Sequence, residues 1–179
     1  MFENKKIFVF GMARSGYEVA KLLRKHNNEI VLVDAKEQDK EKVEELENLG
    51  VKVHIDKDAI SYLDSSFDYV VKNPGISNEN ELVKKAFEYG ISVINEIEVA
   101  YHFLPKVKLI CVTGSNGKTT TTTIIYNMIK RYTPNCFMCG NMGIPLYKMI
   151  EEIKQNDILV MERSSQQLTN FKDFKPDIA

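Results

Sequence analysis

The chain has 179 residues, enough for one large domain or two small ones, and its 44% hydrophobic and 27% charged content is that of a globular protein. A net charge of −1 argues against a general nucleic-acid binder, and no apolar stretch is long enough to span a membrane. The start, Met1-Phe2-Glu3-Asn4-Lys5-Lys6, lacks the apolar core of a signal peptide. A cytoplasmic monomer with neither nucleic acid nor membrane as partner is therefore expected.

Residues Ile7 to Phe10 form a continuous apolar run ending at Gly11, the pattern of a parallel strand buried on both faces. G-M-A-R-S-G follows, from Gly11 to Gly16, then a helix with Val19, Ala20, Leu22 and Leu23 inward. E-I-V-L-V-D makes a second strand that ends at Asp34. This is a first βαβ unit of Rossmann type, with its acidic residue where a ribose contact is expected. Ala13 replaces the glycine that lets the backbone approach a pyrophosphate, so a tight turn without a ligand stays open on this segment alone. Glu41 to Leu49 reads as a helix with Val43, Leu46 and Leu49 inward and Gly50 as its stop. V-K-V-H-I and F-D-Y-V-V-K read as strands, the second ended by the turn Asn73-Pro74-Gly75-Ile76. Glu79 to Tyr89 is a helix with Leu82, Val83, Ala86 and Phe87 inward, I-S-V-I a short strand, and Glu96 to Leu104 a further helix. Pro105 is the natural hinge, which places one domain at 1–105 and a second at 106–179.

The second domain opens with an apolar strand, Leu109 to Val112, a loop from Thr113 to Gly117, and a helix with Ile124, Ile125, Met128 and Ile129 on one face. Strand, glycine loop and a helix opening on Lys-Thr is the layout of a phosphate-binding loop. Its N–H groups point inward, Lys118 can reach the β/γ-phosphates, and the Thr119 hydroxyl can ligate Mg²⁺. The strict G-x-x-x-x-G-K-[ST] pattern would need glycine at Val112, so the shorter form G-S-N-G-K-T has to be explained; an ordinary glycine turn is the bland alternative. Beyond it, N-C-F-M-C-G is a strand ending in Gly140-Asn141-Met142-Gly143, Pro145 opens a helix to about Lys154, and D-I-L-V-M-E is a buried strand ending at Glu162. Pro176 to Ala179 looks like the start of a strand, which reads as a longer protein cut short. Cys136 and Cys139 in C-F-M-C have too few further soft ligands for a metal site and read, with Cys111, as buried thiols.

Four features in order, G-x-x-x-S-G near the start, N-P-G-I, G-S-N-G-K-T, and G-N-M-G-I-P followed by E-x-S-S, resemble the Mur ligase family, and the compact N-terminal domain resembles its D-glutamate-adding branch. The resemblance covers the whole chain. It implies an α/β protein, with an N-terminal Rossmann-like parallel-sheet domain followed by the first part of a P-loop α/β ATPase domain. It also implies ATP-dependent ligation of D-glutamate to UDP-N-acetylmuramoyl-L-alanine through an acyl phosphate, with ATP and Mg²⁺ as cofactors. By position, Arg14 and Ser15 match the loop that contacts uracil and phosphates, Asp34 and Ala35 the pair beside the uridine, and Asn73 and Gly75 the turn that closes over the nucleotide. Gly114, Ser115, Asn116, Gly117, Lys118, Thr119 and Thr120 match the ATP loop, with Lys118 in the catalytic role. Asn141 matches a residue that holds the precursor, and Glu162 joins Thr119 as a Mg²⁺ ligand; an unpartnered carboxylate at the end of a buried strand would be costly. The other metal ligand, the modified lysine, the adenine contacts and the D-glutamate site of the family would lie beyond Ala179, so this piece alone is expected to bind precursor but not to turn over.

Two departures stand out. Arg163 and Gln166 occupy positions where the family is apolar, and truncation would expose them to water, so both are expected to face solvent in the service of solubility. Other readings remain: another Mur ligase, a folylpolyglutamate synthase, an NAD-dependent oxidoreductase using Gly11 to Asp34, and a non-catalytic nucleotide switch. Residues 1–104 disfavour the synthase, Ala13 and the second loop the oxidoreductase, and the absence of N-K-x-D a GTPase switch.

Overall fold

The computed structural model describes residues 1–140, 144–164 and 170–179, apart from the side chain of Arg14. The chain forms two compact units, Met1–Val99 and Ala100–Ala179. Each is built on an all-parallel sheet, the α/β class that the sequence predicts.

The first unit has strands β1 (Lys6–Phe10), β2 (Glu29–Asp34), β3 (Lys52–Ile55), β4 (Tyr69–Lys72) and β5 (Ser92–Asn95), in the order β3-β2-β1-β4-β5. Ile7, Phe8 and Val9 are all buried, as are Ile30 to Val33, because helices cover both faces and leave no alternation. The helices are α1 (Arg14–Arg24), α2 (Lys40–Asn48), α3 (Glu81–Glu88) and α4 (Glu96–His102), the last of which spans the division between the units. Side-chain oxygens start three of them. Asp39 accepts from Glu41 N–H at 3.1 Å, Asn80 from Leu82 N–H at 3.0 Å, and Asn95 from both Ile97 and Glu98 N–H at 3.0 Å. Helix α1 is pressed against β1: a Cβ added at Gly16 would sit 1.9 Å from the Gly11 carbonyl oxygen. This is the close helix–strand packing that the last glycine of such a turn permits.

Register sets Phe8, Val70 and Val93 side by side. With Val31 and Val33 they pack under Leu82, Val83 and Ala86 of α3, and under Ala59 of a 3₁₀ turn, Ala59–Tyr62, that the sequence pattern did not suggest, with Leu63 directly after it. Two residues read as inward point out, Leu49 at 44% exposure and Phe87 at 48%. Leu49 is the residue that closes α2, past its last helical turn. Phe87 lies about 40° beyond Val83 around α3, outside the arc that meets the core.

The second unit contains β6 (Lys108–Val112), α5 (Lys118–Lys130), β7 (Cys136–Gly140), α6 (Leu146–Met149) and β8 (Ile158–Glu162), with strand order β6-β8-β7. Ile178 forms a parallel bridge to Ile110, and Cys111 N–H donates to Ile178 O at 2.8 Å, so the strand start read at the end of the chain is present as one bridge. Helix α6 is shorter than the predicted run to Lys154. Glu152 and Ile153 N–H both turn onto Met149 O, and the Asp157 carboxylate takes Lys154 N–H at 2.7 Å, which diverts the chain into β8. The apolar face read on α5 is also rotated. Ile124 and Met128 are exposed, whereas Thr122 is buried and Ile125 and Ile129 are half-buried, an i, i+3, i+7 stripe. Among the described residues no helix is long and apolar enough to cross a membrane.

The three thiols are free and buried, as read. Cys111 of β6 and Cys139 of β7 both lie in register with Met161 of β8. Burial pushes Cys111 up to about 11 and Cys139 up to about 12 from an ordinary 9.0, with Arg163 opposing in each case.

Two outcomes follow from this packing. Gly16→Ala should cost about 3 kcal/mol in urea unfolding, because backbone and not a flexible side chain blocks the new methyl. The raised thiols contribute stability that is fully present below pH 9.0 and is lost as pH rises through about 11 to 12. Unfolding free energies should therefore show Cys111→Ala/Cys139→Ala costing less at about pH 10 than at about pH 8.

Candidate nucleotide-binding edges

The sheet order of the first unit reverses at β1. The chain passes from β1 to β2 on one side, while β4 lies on the other, so the carboxyl ends of β1 and β4 form a topological switch point, where open α/β sheets place a ligand crevice. Ser15 stands in the first turn of α1. Asp34 ends β2, and its carboxylate accepts Met12 N–H at 2.6 Å and Lys36 N–H at 2.8 Å. It is thus committed to holding the loop backbone and is not a bare solvated strand end. Across the crevice, Asn73 donates from its amide to Ser15 Oγ at 3.1 Å and accepts Gly75 N–H at 2.9 Å. The structure therefore brings Ser15, Asp34, Asn73 and Gly75 to one edge, with Ala35 exposed beside them. Arg14 opens α1 at the same edge, and its side chain lies outside the described atoms.

A residue that belongs to none of the sequence motifs sits beneath this turn. Lys72, the last residue of β4, is 1% exposed, and its ammonium donates to Ile76 O at 2.7 Å. Burial pushes its pKa down, opposed by the charge of Glu96. The signal was a lysine closing an apolar strand directly before N-P-G, easily taken for the point where the strand meets water.

At the second sheet, register puts Val112, Glu162 and Gly140 in one row at the carboxyl edge. The loop from Thr113 to Gly117 is exposed and runs into α5, whose N-cap is Gly117 at φ 76°, a left-handed conformation that a side chain would resist. The first turn of α5 carries no acidic residue, so its N-terminal N–H groups present positive potential to an anion. The Lys118 ammonium donates to Gly114 O at 2.8 Å and Ser115 O at 3.0 Å. Thr119 Oγ1 donates to Glu162 Oε2 at 2.9 Å, and Glu162 is 3% exposed. Asn116 and Thr120 are exposed on the same loop and turn. Asn141 lies outside the described residues.

Two supports of this edge were not read from sequence. Buried Thr122 donates to Lys118 O at 2.8 Å and fixes the first turn of α5. A Cβ at Gly140, whose φ is +125°, would meet Glu162 O at 2.1 Å. Among the described residues no group of three or more His, Cys, Asp or Glu is placed to hold a metal.

Arg163 corrects an expectation. It is fully buried, not solvent-facing. Its guanidinium carbon lies 4.6 Å from the Phe171 ring centroid and 4.7 Å from that of Phe174, and the backbone N–H of Arg163 donates to Val112 O at 2.9 Å. A flat, weakly hydrated guanidinium stacks on aromatic faces, so a cation can occupy an apolar position there. Gln166 lies outside the described residues.

Residues 5–95 match the model of the Mur ligase MurD-like N-terminal domain, and residues 112–179 that of the Mur ligase middle domain. The chain belongs to the MurD-like Mur ligases. The first of these matches covers the same Gly11–Asp34 segment on which the oxidoreductase alternative rested. Among curated relatives, the UDP-N-acetylmuramoylalanine–D-glutamate ligase of Geobacillus sp. (strain WCH70) is 41% identical over 99% of this chain and 40% of its own length. That of Streptococcus agalactiae serotype III (strain NEM316) is 42% identical over the same shares. The chain thus spans about 40% of the length of these Mur ligases. A murein peptide ligase from Psychrobacter arcticus, 18% identical, shares the fold with a TM-score of 0.54 over 96% of this chain and 41% of its own.

In this Mur ligase chain Asp34→Ala should cost about 2 kcal/mol in urea unfolding, from the loss of two charge-assisted hydrogen bonds to loop backbone. Ala35→Gly, at an exposed neighbour making no such contact, is the reference.

Proposed function

We propose that this chain is the nucleotide-handling part of an ATP-dependent, cytoplasmic UDP-N-acetylmuramoyl-L-alanine–D-glutamate ligase of peptidoglycan precursor synthesis. The observation that carries the reading is the glycine loop ending in Lys118, with Thr119 and buried Glu162 joined at 2.9 Å beside it, in a chain of MurD-like sequence. We assign precursor binding to residues 1–105, through Arg14, Ser15, Asp34, Ala35, Asn73 and Gly75, and give Asn141 the same role. We assign ATP binding to residues 106–179, through Gly114 to Thr120.

The residues at the second edge suit ATP and a hard divalent cation. A hydroxyl and a buried carboxylate are oxygen donors, and Mg²⁺ takes only one or two protein carboxylates when phosphates and water complete its shell. Thr119 and Glu162 would hold it. When bound, Mg²⁺ neutralises charge on the transferred phosphoryl group. The loop N–H groups and the α5 N-terminus receive the phosphates, and Lys118 exchanges the Gly114 and Ser115 carbonyls for phosphate oxygens. In the whole enzyme the terminal phosphoryl group of ATP passes to the alanyl carboxylate and ADP leaves. The amine of D-glutamate then attacks the acyl carbon, giving up a proton as phosphate departs and the amide forms.

Calorimetric titration tests this. UDP-N-acetylmuramoyl-L-alanine should bind saturably and NADH should not. Lys118→Met should weaken ATP–Mg²⁺ binding about tenfold and leave precursor affinity unchanged. NADH binding in place of the UDP precursor would overturn the assignment.

A further inference from the structure

The turn after β4 is held from below by a group that the strand has no structural need to bury. Val70, two residues before Lys72 and on the same face of β4, belongs to the hydrophobic core, and the register partners of Lys72 are Phe10 and Asn95. An aliphatic side chain would fill this position without the cost of desolvating an ammonium. Lys72 spends its charge on one main-chain atom, the carbonyl of Ile76, four residues on, at the far end of the Asn73–Ile76 turn. The other hydrogen bonds of that turn close it on itself or reach Ser15, and the Ile76 side chain packs against the core. Ile76 N–H returns to Asn73 O at 2.9 Å, Gly75 N–H to the Asn73 side chain, and the Asn73 amide reaches Ser15 Oγ. The Ile76 side chain comes within 3.8 Å of where a Cβ on Gly11 would stand, so it packs against the loop after β1. Glu96, at the start of α4, supplies the opposing charge.

We propose that Lys72 is a positioning residue for nucleotide recognition: by tying Ile76 to the end of β4 it sets the turn that carries Asn73 and Gly75 against Ser15. The inference rests on the assignment of this crevice to a uridine nucleotide. It makes the buried ammonium part of the recognition apparatus without contact to the ligand.

The test compares the unsubstituted chain with Lys72→Met and with Lys72→Met/Glu96→Gln, the second of which also neutralises the buried carboxylate. Three readouts are taken: affinity for UDP by calorimetry, amide hydrogen exchange at Gly75 and Ile76 against Val70 and Val71, and the thermal midpoint. In the double variant UDP affinity should fall about tenfold and exchange at Gly75 and Ile76 should quicken about tenfold. Protection at Val70 and Val71 and the midpoint should hold, a separation that a general loss of packing would not give. Unchanged exchange at Gly75 and Ile76, or quickened exchange with full UDP affinity, overturns the role of Lys72 alone. No UDP binding by the unsubstituted chain overturns the reading of the crevice, and the recognition role of Lys72 with it.

Discussion

A parallel strand covered on both faces can place polar side chains only at its ends. Ile7 to Val9, Ile30 to Val33 and Leu159 to Met161 are buried without interruption. Polar side chains are accordingly pushed to the strand ends: Asn28, Glu29, Asp68 and Asp157 at amino ends, and Asp34 on β2, Asn73 after β4, Asn95 on β5 and Glu162 on β8 at carboxyl ends. In-register pairing then lines these ends up along the edges of each sheet separately. What singles out the carboxyl edge of each sheet is that the helices following the strands turn their N-terminal N–H groups to that side.

The parts of this arrangement legible in the sequence were those written in local pattern. Unbroken apolar runs located the strands, G-S-N-G-K-T the exposed loop before α5, and Gly11 to Asp34 the βαβ turn at the edge of the first sheet. Parts that depend on pairing across the sheet were not legible. Periodicity alone cannot say where the buried arc of a helix stops, so Phe87 was taken as core and Ile124 and Met128 were turned the wrong way. The role of Gly140 is visible only once β7 is known to lie against β8, and that of Lys72 only once the turn is seen to fold back over the strand that precedes it.

Arg163 and Lys72 show the same difficulty from the chemical side. Composition rules place a cation at the surface, and both residues are among the most buried in the chain. Each is accommodated by a specific partner of the right shape: two phenyl faces for the planar guanidinium, one carbonyl oxygen for the compact ammonium. Neither pairing is written in a motif as such. Phe171 and Phe174 come after a segment read only for its departures, and Ile76 contributes its backbone and not its side chain.

The close approach of β7 to β8 bears on how related sequences should be compared. At Gly140 the main chain of Glu162 occupies the space of any Cβ, so the position is closed to substitution whatever molecule the edge binds. A glycine kept there across distant relatives would record the distance between two backbones. Shared substrate would have to be argued from positions such as Ala35, where the structure leaves the side chain free to vary.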